Sequence, residues 1–239
     1  VQVQHLLEMP TVGALDVRNQ CTGFVYGLSV ADQFIKTGMY KNILVVGAEY
    51  HSNGLDRTTR GRTVAVLFGD GAGAVVLSRS EKEGSGILTS NLHSQGEFAE
   101  QLAVTSPSIK HWIPELMANP DDLTYYPYMD GQLVFKHAIT RFAESIEEAL
   151  AASQLKTEDV NLFIPHQANL RISQMVQRKF RFTDDQVFNN IQKYGNTTAA
   201  TLPIALTEAR QQGRVKDGDI VVLSAFGSGF TWGSVIMRW

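Results

Sequence analysis

Apolar residues in this chain alternate between short β-branched runs and longer stripes of helical period. Val12 to Val17 reads as a short buried strand. The stretch Thr22 to Lys36 carries Phe24, Val25, Leu28, Ala31, Phe34 and Ile35, the spacing of one buried helix face. Asn42 to Ala48 is a continuous β-branched run, which predicts a strand covered on both faces of a sheet. Two more strands are predicted at Thr63 to Phe68 and Ala72 to Ser78, around the turn Gly69-Asp-Gly-Ala-Gly73, and another at Ile87 to His93. From Ser94 to Tyr128 the period is lost, with Pro107, Pro114, Pro120 and Pro127 among scattered aromatics. Irregular stretches of that length are usually functional or cover something.

The second half resumes the alternation. Asp130 opens a helix to about Ser153, with Leu133, Val134, His137, Ala138, Phe142, Ile146 and Leu150 on one stripe. A strand at Asp159 to Pro165, a helix from Gln167 to about Lys179, a weaker strand at Asp185 to Ile191 and a helix from Thr197 to Gln212 follow. Strands at Asp219 to Ala225 and Trp232 to Trp239 close the chain around Phe226-Gly-Ser-Gly229.

The two ends repeat each other. Helix, Thr37-Gly-Met-Tyr-Lys-Asn, strand Ile43-Leu-Val-Val and Phe68-Gly-Asp-Gly-Ala-Gly match helix, Gln212-Gly-Arg-Val-Lys-Asp-Gly, strand Ile220-Val-Val-Leu and Phe226-Gly-Ser-Gly. Self-similarity of this kind indicates a duplicated unit. On the common template Cys21 and Asn196 occupy equivalent helix starts, and residues 1–10 match Arg171 to Phe180. The second copy opens with a long helix and a strand that the first lacks, and Val1 to Met9 reads as the last turns of a helix already under way. The expectation is a duplicated α/β fold whose first repeat is incomplete in this chain. It divides into residues 1–93 as the later part of the first half, 94–128 as a connecting cover and 129–239 as the second half. Apolar runs such as Ile43-Leu-Val-Val46 would then face solvent, and a polypeptide beginning at Val1 is expected to be insoluble or inactive.

Composition narrows the class. The 239 residues are 44% hydrophobic, enough for a sizeable core in one or two domains. A net charge of −3 gives no global pull toward nucleic acid or an anionic membrane. One cysteine rules out an internal disulfide framework, and nothing reads as a zinc or other metal cluster, so a reducing, cytoplasmic setting is expected. No apolar run approaches the roughly 18 residues of a membrane span.

Chemistry concentrates at strand-to-helix junctions. Cys21, in Asp16-Val-Arg-Asn-Gln-Cys21-Thr-Gly-Phe24, sits at or beside a helix N-terminus. The unpaired N–H groups and positive dipole end there favour a thiolate and predict a lowered pKa. A lone cysteine is also often a small core hydrophobe. His166, in Ile164-Pro-His166-Gln-Ala-Asn169-Leu-Arg171, follows the end of a buried strand, and Asn196, in Tyr194-Gly-Asn196-Thr-Thr-Ala, opens the next helix. Singly, the first is more often a hydrogen-bonded structural histidine and the second more often a helix cap or an αL residue after Gly195. Together, all three fall at strand carboxyl ends, where open α/β sheets collect ligands.

With these motifs in view, the sequence resembles the type III ketoacyl-ACP synthases of the thiolase superfamily. The resemblance runs through Cys21-Thr-Gly-Phe, Phe68-Gly-Asp-Gly-Ala-Gly-Ala, Pro165-His-Gln-Ala-Asn-Leu-Arg-Ile, Gly195-Asn-Thr and Phe226-Gly-Ser-Gly-Phe-Thr-Trp-Gly, in order and over the whole chain. It implies a thiolase-like αβαβα stack, an extra N-terminal stretch in the family, and pairing of two subunits into a homodimer. It also implies decarboxylative Claisen condensation of an acyl-CoA primer with malonyl-acyl carrier protein, in fatty acid biosynthesis. No cofactor is implied beyond the CoA and carrier-protein thioesters themselves, and no nucleic acid or membrane partner.

By the same resemblance, Cys21 takes the acyl group, and His166 and Asn196 donate to the malonyl thioester carbonyl. Main-chain N–H groups of Cys21 and of the turn holding Ser228 form a second oxyanion site; family members often carry glycine where Ser228 stands. Arg171, Arg178 and Lys179, on one helix face at i, i+7 and i+8, would dock the phosphopantetheine arm and the acidic carrier, with Asn169 nearby. A solvated basic face is the other reading of that stripe. Arg62 matches an arginine that stacks on the CoA adenine, and Phe68 and Phe226 would line the acyl channel.

Competing enzymes of the superfamily fit less well. Thiolases carry a second late cysteine where this chain has Phe226-Gly-Ser-Gly229, and chalcone-synthase-like enzymes close on a glycine-proline signature where this chain has Trp232-Gly233. An acyltransferase of secondary metabolism, making an ester, amide or diketide, is the main rival. A non-catalytic partner subunit of a synthase heterodimer is a further alternative, against which the intact Cys21 counts.

Overall fold

The structure is a computed structural model, and it describes residues 1–106, 118 and 123–239. Pro107, Pro114 and Pro120 of the irregular stretch lie outside the described residues. Its elements are, in chain order, α1 (Gln2–Leu6), α2 (Gly23–Lys36), β1 (Asn42–Glu49), α3 (Arg62–Ala65), β2 (Gly71–Ser78) and β3 (Gly86–Ser94). Then follow β4 (Leu102–Ala103), β5 (Tyr128–Met129), α4 (Gly131–Ala152), β6 (Leu162–Pro165), α5 (Leu170–Phe180), α6 (Ile191–Tyr194), α7 (Thr201–Gln211), β7 (Ile220–Gly227) and β8 (Thr231–Arg238).

Two sheets carry the fold. β1 and β2 pair antiparallel, and the larger sheet runs β3-β8-β7-β6, with β6 parallel to β7 and the other pairs antiparallel. Helices α2 and α7 lie between the sheets, α2 against β1, β3 and β8, and α7 against β2 and β6. Helix α4 covers the far side of the larger sheet, with α5 packed on α4. The layers β, α, β, α follow in the order of an αβαβα stack, the mixed α/β architecture expected. Strand β3, grouped by sequence with the first half, pairs along β8.

Each layer boundary has its own core. Phe24, Val25 and Leu28 of α2 meet Leu202 and Ala205 of α7 and the inward residues of β6 to β8. Phe142 and Ile146 of α4 meet Phe163, Val222 and Ile236 on the opposite face of the larger sheet. Strands β6 and β7 are therefore apolar on both faces, which explains their unbroken runs. Phe163 is fully buried, and Phe163→Ala is expected to cost about 3–5 kcal/mol by the cavity it leaves. A urea unfolding midpoint unchanged from that of the parent chain would contradict this.

Four expectations need correction. Val12 to Val17 forms no strand; the segment is irregular and mostly exposed, with no described strand alongside to complete a ladder. Thr63 to Phe68 is not a strand either. Asp56 accepts from the Thr58 backbone N–H and from Arg60 Nε, and this turn feeds into α3, where Val64 and Ala65 N–H both bond Gly61 O. Local hydrogen bonds thus override the β-branched composition. Asp185 to Ile191 becomes a 3-10 turn at Asp184–Gln186 and a single bridge from Val187 to Phe163. Side chains take its backbone groups, Arg214 donating to Asp185 O and Gln167 Oε1 accepting from Asn190 and Ile191 N–H.

The fourth concerns β1, which is covered on one face only. Val45 and Gly47 point inward, whereas Val46 is 41% exposed and Val76, on the same outer face of β2, 67%. Smaller shifts occur at helix starts: α5 begins at Leu170 behind the cap Asn169, and α7 at Thr201 behind a 3-10 turn at Thr198–Ala200. Helix α4 starts as read, with Asp130 Oδ1 accepting from Leu133 N–H.

Candidate active site

Cys21 lies in a 3-10 turn, Gln20–Thr22, that runs straight into α2. Gln20 adopts a left-handed φ of 42°, unusual away from glycine, and so turns the chain sharply into the helix. The end of β7 presses against this turn. A methyl group at Gly227 would lie 2.4 Å from Cys21 Cβ and 2.9 Å from Sγ, so only glycine fits. The Thr22 and Thr231 hydroxyls, 2.7 Å apart, join the Cys21 turn to the β7–β8 turn. The backbone N–H groups of Ser228 and of Cys21 lie beside the thiol and favour its charged form.

The thiol does not have the lowered pKa anticipated for a helix start. Burial, and secondly the Glu49 carboxylate, push it up to about 12, against the opposing pull of those two N–H groups. Cys21 is only 6% exposed, and desolvation of a thiolate outweighs one helix terminus.

His166 follows β6, its backbone N–H bonded to Ser224 O of β7. Nδ1 is 2.6 Å from Thr201 Oγ1, and Nε2 is buried with no hydrogen-bond partner among the described residues. Burial pulls its pKa down to about 3, so the imidazole is neutral at physiological pH. Asn196 is held by its own backbone, its N–H on Leu67 O and its carbonyl accepting from Gly69 N–H. Its Oδ1 accepts from Thr198 N–H at 2.9 Å, which leaves the amide nitrogen as the end facing the cavity.

These side chains meet in one cavity of about 460 Å³ whose walls include Leu67, Phe68, Phe135, Phe142 and Phe226. Leu102, Ala103, Val104 and Pro127, at the described edges of the irregular stretch, also line it. Ser228 and Asn169 border the same space, with Arg18. Arg171, Arg178 and Lys179 are exposed on α5 outside this lining, the last paired with Glu147 at 3.0 Å. Arg62 is exposed on α3, also outside the lining. No group of three or more His, Cys, Asp or Glu suited to a metal occurs among the described residues. No described helix is long and apolar enough to cross a membrane.

Sequence reading missed four residues that position this site. Glu49 Oε1 accepts from Ala199 N–H, and His51 Nε2 is 2.8 Å from Thr198 Oγ1, so the end of β1 grips the turn after Asn196. Thr198 has a left-handed φ of 48°, and Thr201 supports His166. Glu49 was detectable, since it ends a strand by the same criterion that singled out His166. The two threonines carry no sequence signal, because their partners come from the tertiary fold.

A thiol, a neutral imidazole and an amide around one apolar cavity suit acyl transfer followed by stabilisation of charge on a carbonyl oxygen. On this arrangement of sheets they define a thiolase-like condensing enzyme. Residues 15–96 match the family model described as 3-oxoacyl-[acyl-carrier-protein] synthase III, and residues 150–239 its C-terminal counterpart. The beta-ketoacyl-[acyl-carrier-protein] synthase III of Rhodospirillum centenum is 46% identical over 242 residues, covering 100% of this chain and 71% of the relative. The crystal structure of the Aquifex aeolicus synthase III superposes with a TM-score of 0.88 at 42% identity, and that from Thermus thermophilus with 0.90 at 34%. Each covers 100% of this chain, which spans 71% of either structure. The chain belongs to the 3-oxoacyl-[acyl-carrier-protein] synthase III family. It is an acyltransferase, a condensing enzyme of fatty acid biosynthesis, and the rival reading in secondary metabolism is not favoured.

Proposed function

We propose that the chain condenses an acyl-CoA primer with malonyl-acyl carrier protein through an acyl-Cys21 intermediate. The observation that carries this reading is the convergence of Cys21, His166 and Asn196 on one cavity, with the backbone N–H groups of Ser228 and Cys21 beside the thiol. In the first half-reaction Cys21 Sγ attacks the acyl-CoA carbonyl. The Cys21 and Ser228 N–H groups hold the tetrahedral oxyanion, and CoA leaves with the thiol's proton. In the second, the malonyl carboxylate leaves as CO₂ and charge gathers on the thioester oxygen. His166 and Asn196 hydrogen-bond that oxygen while the new carbon–carbon bond forms at the acyl carbonyl. The products are 3-oxoacyl-carrier protein, CO₂ and free Cys21.

The substrates' own thioesters supply the chemistry, with no separate cofactor. Phe68 and Phe226 wall the acyl channel, and Asn169 guides the pantetheine arm. The working enzyme is a cytoplasmic homodimer. Residues 1–93 and 129–239 act as its two halves, and 94–128 as the cover. Incubation with acyl-CoA followed by intact-mass analysis tests the first half-reaction, and addition of malonyl-carrier protein tests the second. A mass increase of one acyl group on Cys21, discharged by malonyl-carrier protein, is expected; an unmodified Cys21 overturns the reading.

Carrier docking on the exposed stripe of α5, and adenine contact at Arg62, belong to the same proposal. Arg178→Glu with Lys179→Glu is expected to raise KM for malonyl-carrier protein severalfold while leaving acyl-CoA kinetics near those of the parent. Rim charges act on encounter and are screened by salt. The Lys179–Glu147 pair is about half exposed on both sides, so its loss has little effect on stability. Equal changes for both substrates, or no salt dependence, would mark the stripe as a solvated face.

A further inference from the structure

Gln167, next to His166, is 3% exposed, and its side-chain amide meets four backbone groups. Nε2 is 2.7 Å from Pro165 O and 3.4 Å from Phe188 O, while Oε1 is 3.0 Å from Asn190 N and 3.2 Å from Ile191 N. Carbonyls only accept and backbone N–H groups only donate, so the amide has one orientation and both of its ends are in use. The two N–H groups open α6, a helix of four residues, too short to be stable by itself. Oε1 satisfies donors that a helix leaves open at its start. From there α6 leads through Gly195, whose N–H bonds Ile191 O, to Asn196. Asn196 is otherwise tied to Leu67 and Gly69, and His166 to Ser224 and Thr201. Gln167 thus links β6, which places His166, to α6, which places Asn196.

We propose that Gln167 is a positioning residue that sets the separation of His166 and Asn196, the two side chains that share the malonyl thioester oxygen. The inference rests on the donor roles given to both above. Two donors stabilise one oxygen best when their places are fixed before charge develops there. His166 and Asn196 are far apart in the chain, so their spacing must come from a tertiary contact. Gln167 supplies it with a side chain whose length sets the span from Pro165 O to the start of α6. A second clasp holds the rest of that helix. Glu208 of α7 accepts from Asn190 Nδ2 at 3.0 Å, from Lys193 Nζ at 3.2 Å and from the Tyr194 hydroxyl at 2.6 Å. Held by both, α6 acts as a rigid spacer. No hydrogen bond of Gln167 reaches the Cys21 turn or the β7–β8 turn, so acylation does not depend on it.

The test assays the two half-reactions separately in variants of Gln167. Gln167→Asn keeps the amide but is one methylene shorter, so it cannot hold Pro165 O and the α6 N–H groups together. Decarboxylation of the malonyl thioester is expected to fall about ten- to hundredfold, the effect of a misplaced group. Acylation of Cys21 and KM for malonyl-carrier protein should stay near those of the parent. Gln167→Met keeps the length and volume, removes all four hydrogen bonds and should show the same split; it carries the test where the shorter variant does not fold. Gln167→Glu, as a buried neutral carboxyl, accepts from the same N–H groups and donates to Pro165 O, and should recover the rate to within about threefold. In an Asn196→Ala background, Gln167→Asn should lower decarboxylation by less than about twofold more, because the donor it positions is gone. Equal losses in both half-reactions, parent-like decarboxylation in Gln167→Asn and Gln167→Met, or losses that multiply in the double variant overturn the proposal. Normal decarboxylation by Asn196→Ala alone would instead overturn the reading on which it rests.

Discussion

Cys21→Ser is expected to abolish acyl-enzyme formation, with no mass increase after prolonged incubation with acyl-CoA. The substitution is nearly isosteric, so the fold and cavity should persist while the nucleophile changes. A serine hydroxyl without an adjacent base is a poor nucleophile at neutral pH, whereas a thiol retains useful reactivity. The environment adds a second expectation. Because burial and Glu49 push the Cys21 thiol up to about 12, the thiolate fraction at neutral pH is small. Alkylation by iodoacetamide should therefore rise roughly tenfold per pH unit with no plateau below about pH 10. Glu49→Gln removes the like-charge contribution and should shift that profile to lower pH. Acylation of the serine variant at the parent rate, or an alkylation plateau near neutral pH, would contradict the nucleophile's assignment or its environment.

His166→Ala and Asn196→Ala form the second test, and they separate the half-reactions. Both variants should still acylate Cys21, because the proposal assigns the oxyanion of that step to backbone N–H groups of Cys21 and Ser228 that neither substitution removes. Both should lose decarboxylation of the malonyl thioester by roughly 10²–10³-fold, the typical effect of deleting one preorganised oxyanion donor. Asn196→Ala also releases the Thr198 N–H from its side-chain acceptor and loosens the turn gripped by Glu49 and His51. Its thermal stability should therefore be measured beside its activity. Decarboxylation that survives while acylation fails would reverse the roles assigned to the two groups.

The sequence by itself determined much of the fold and the chemistry. Strands β6, β7 and β8 were legible because they are apolar on both faces or nearly so, and an unbroken β-branched run has few other fates. Helices α2 and α4 were legible because each buries one face, which writes a 3.6-residue period into the chain. His166 stood out because it follows the end of the buried strand β6, whereas Cys21 and Asn196 stood out only as helix starts, since the strands read ahead of them did not form.

Only the tertiary structure decided the rest. Thr63 to Phe68 and Asp185 to Ile191 have strand composition, but Leu67 O accepts from the distant Asn196 N–H, and the side chains of Arg214 and Gln167 claim backbone groups of the second segment. Those partners cannot be deduced from a local window. The same applies to the electrostatics of Cys21. A helix start lowers a cysteine pKa, and the chain does place Cys21 at one. The sequence cannot say that β7 closes over the thiol at Gly227, or that Glu49 arrives on β1. Desolvation depends on what packs around a group, and packing is set by elements far apart in the chain.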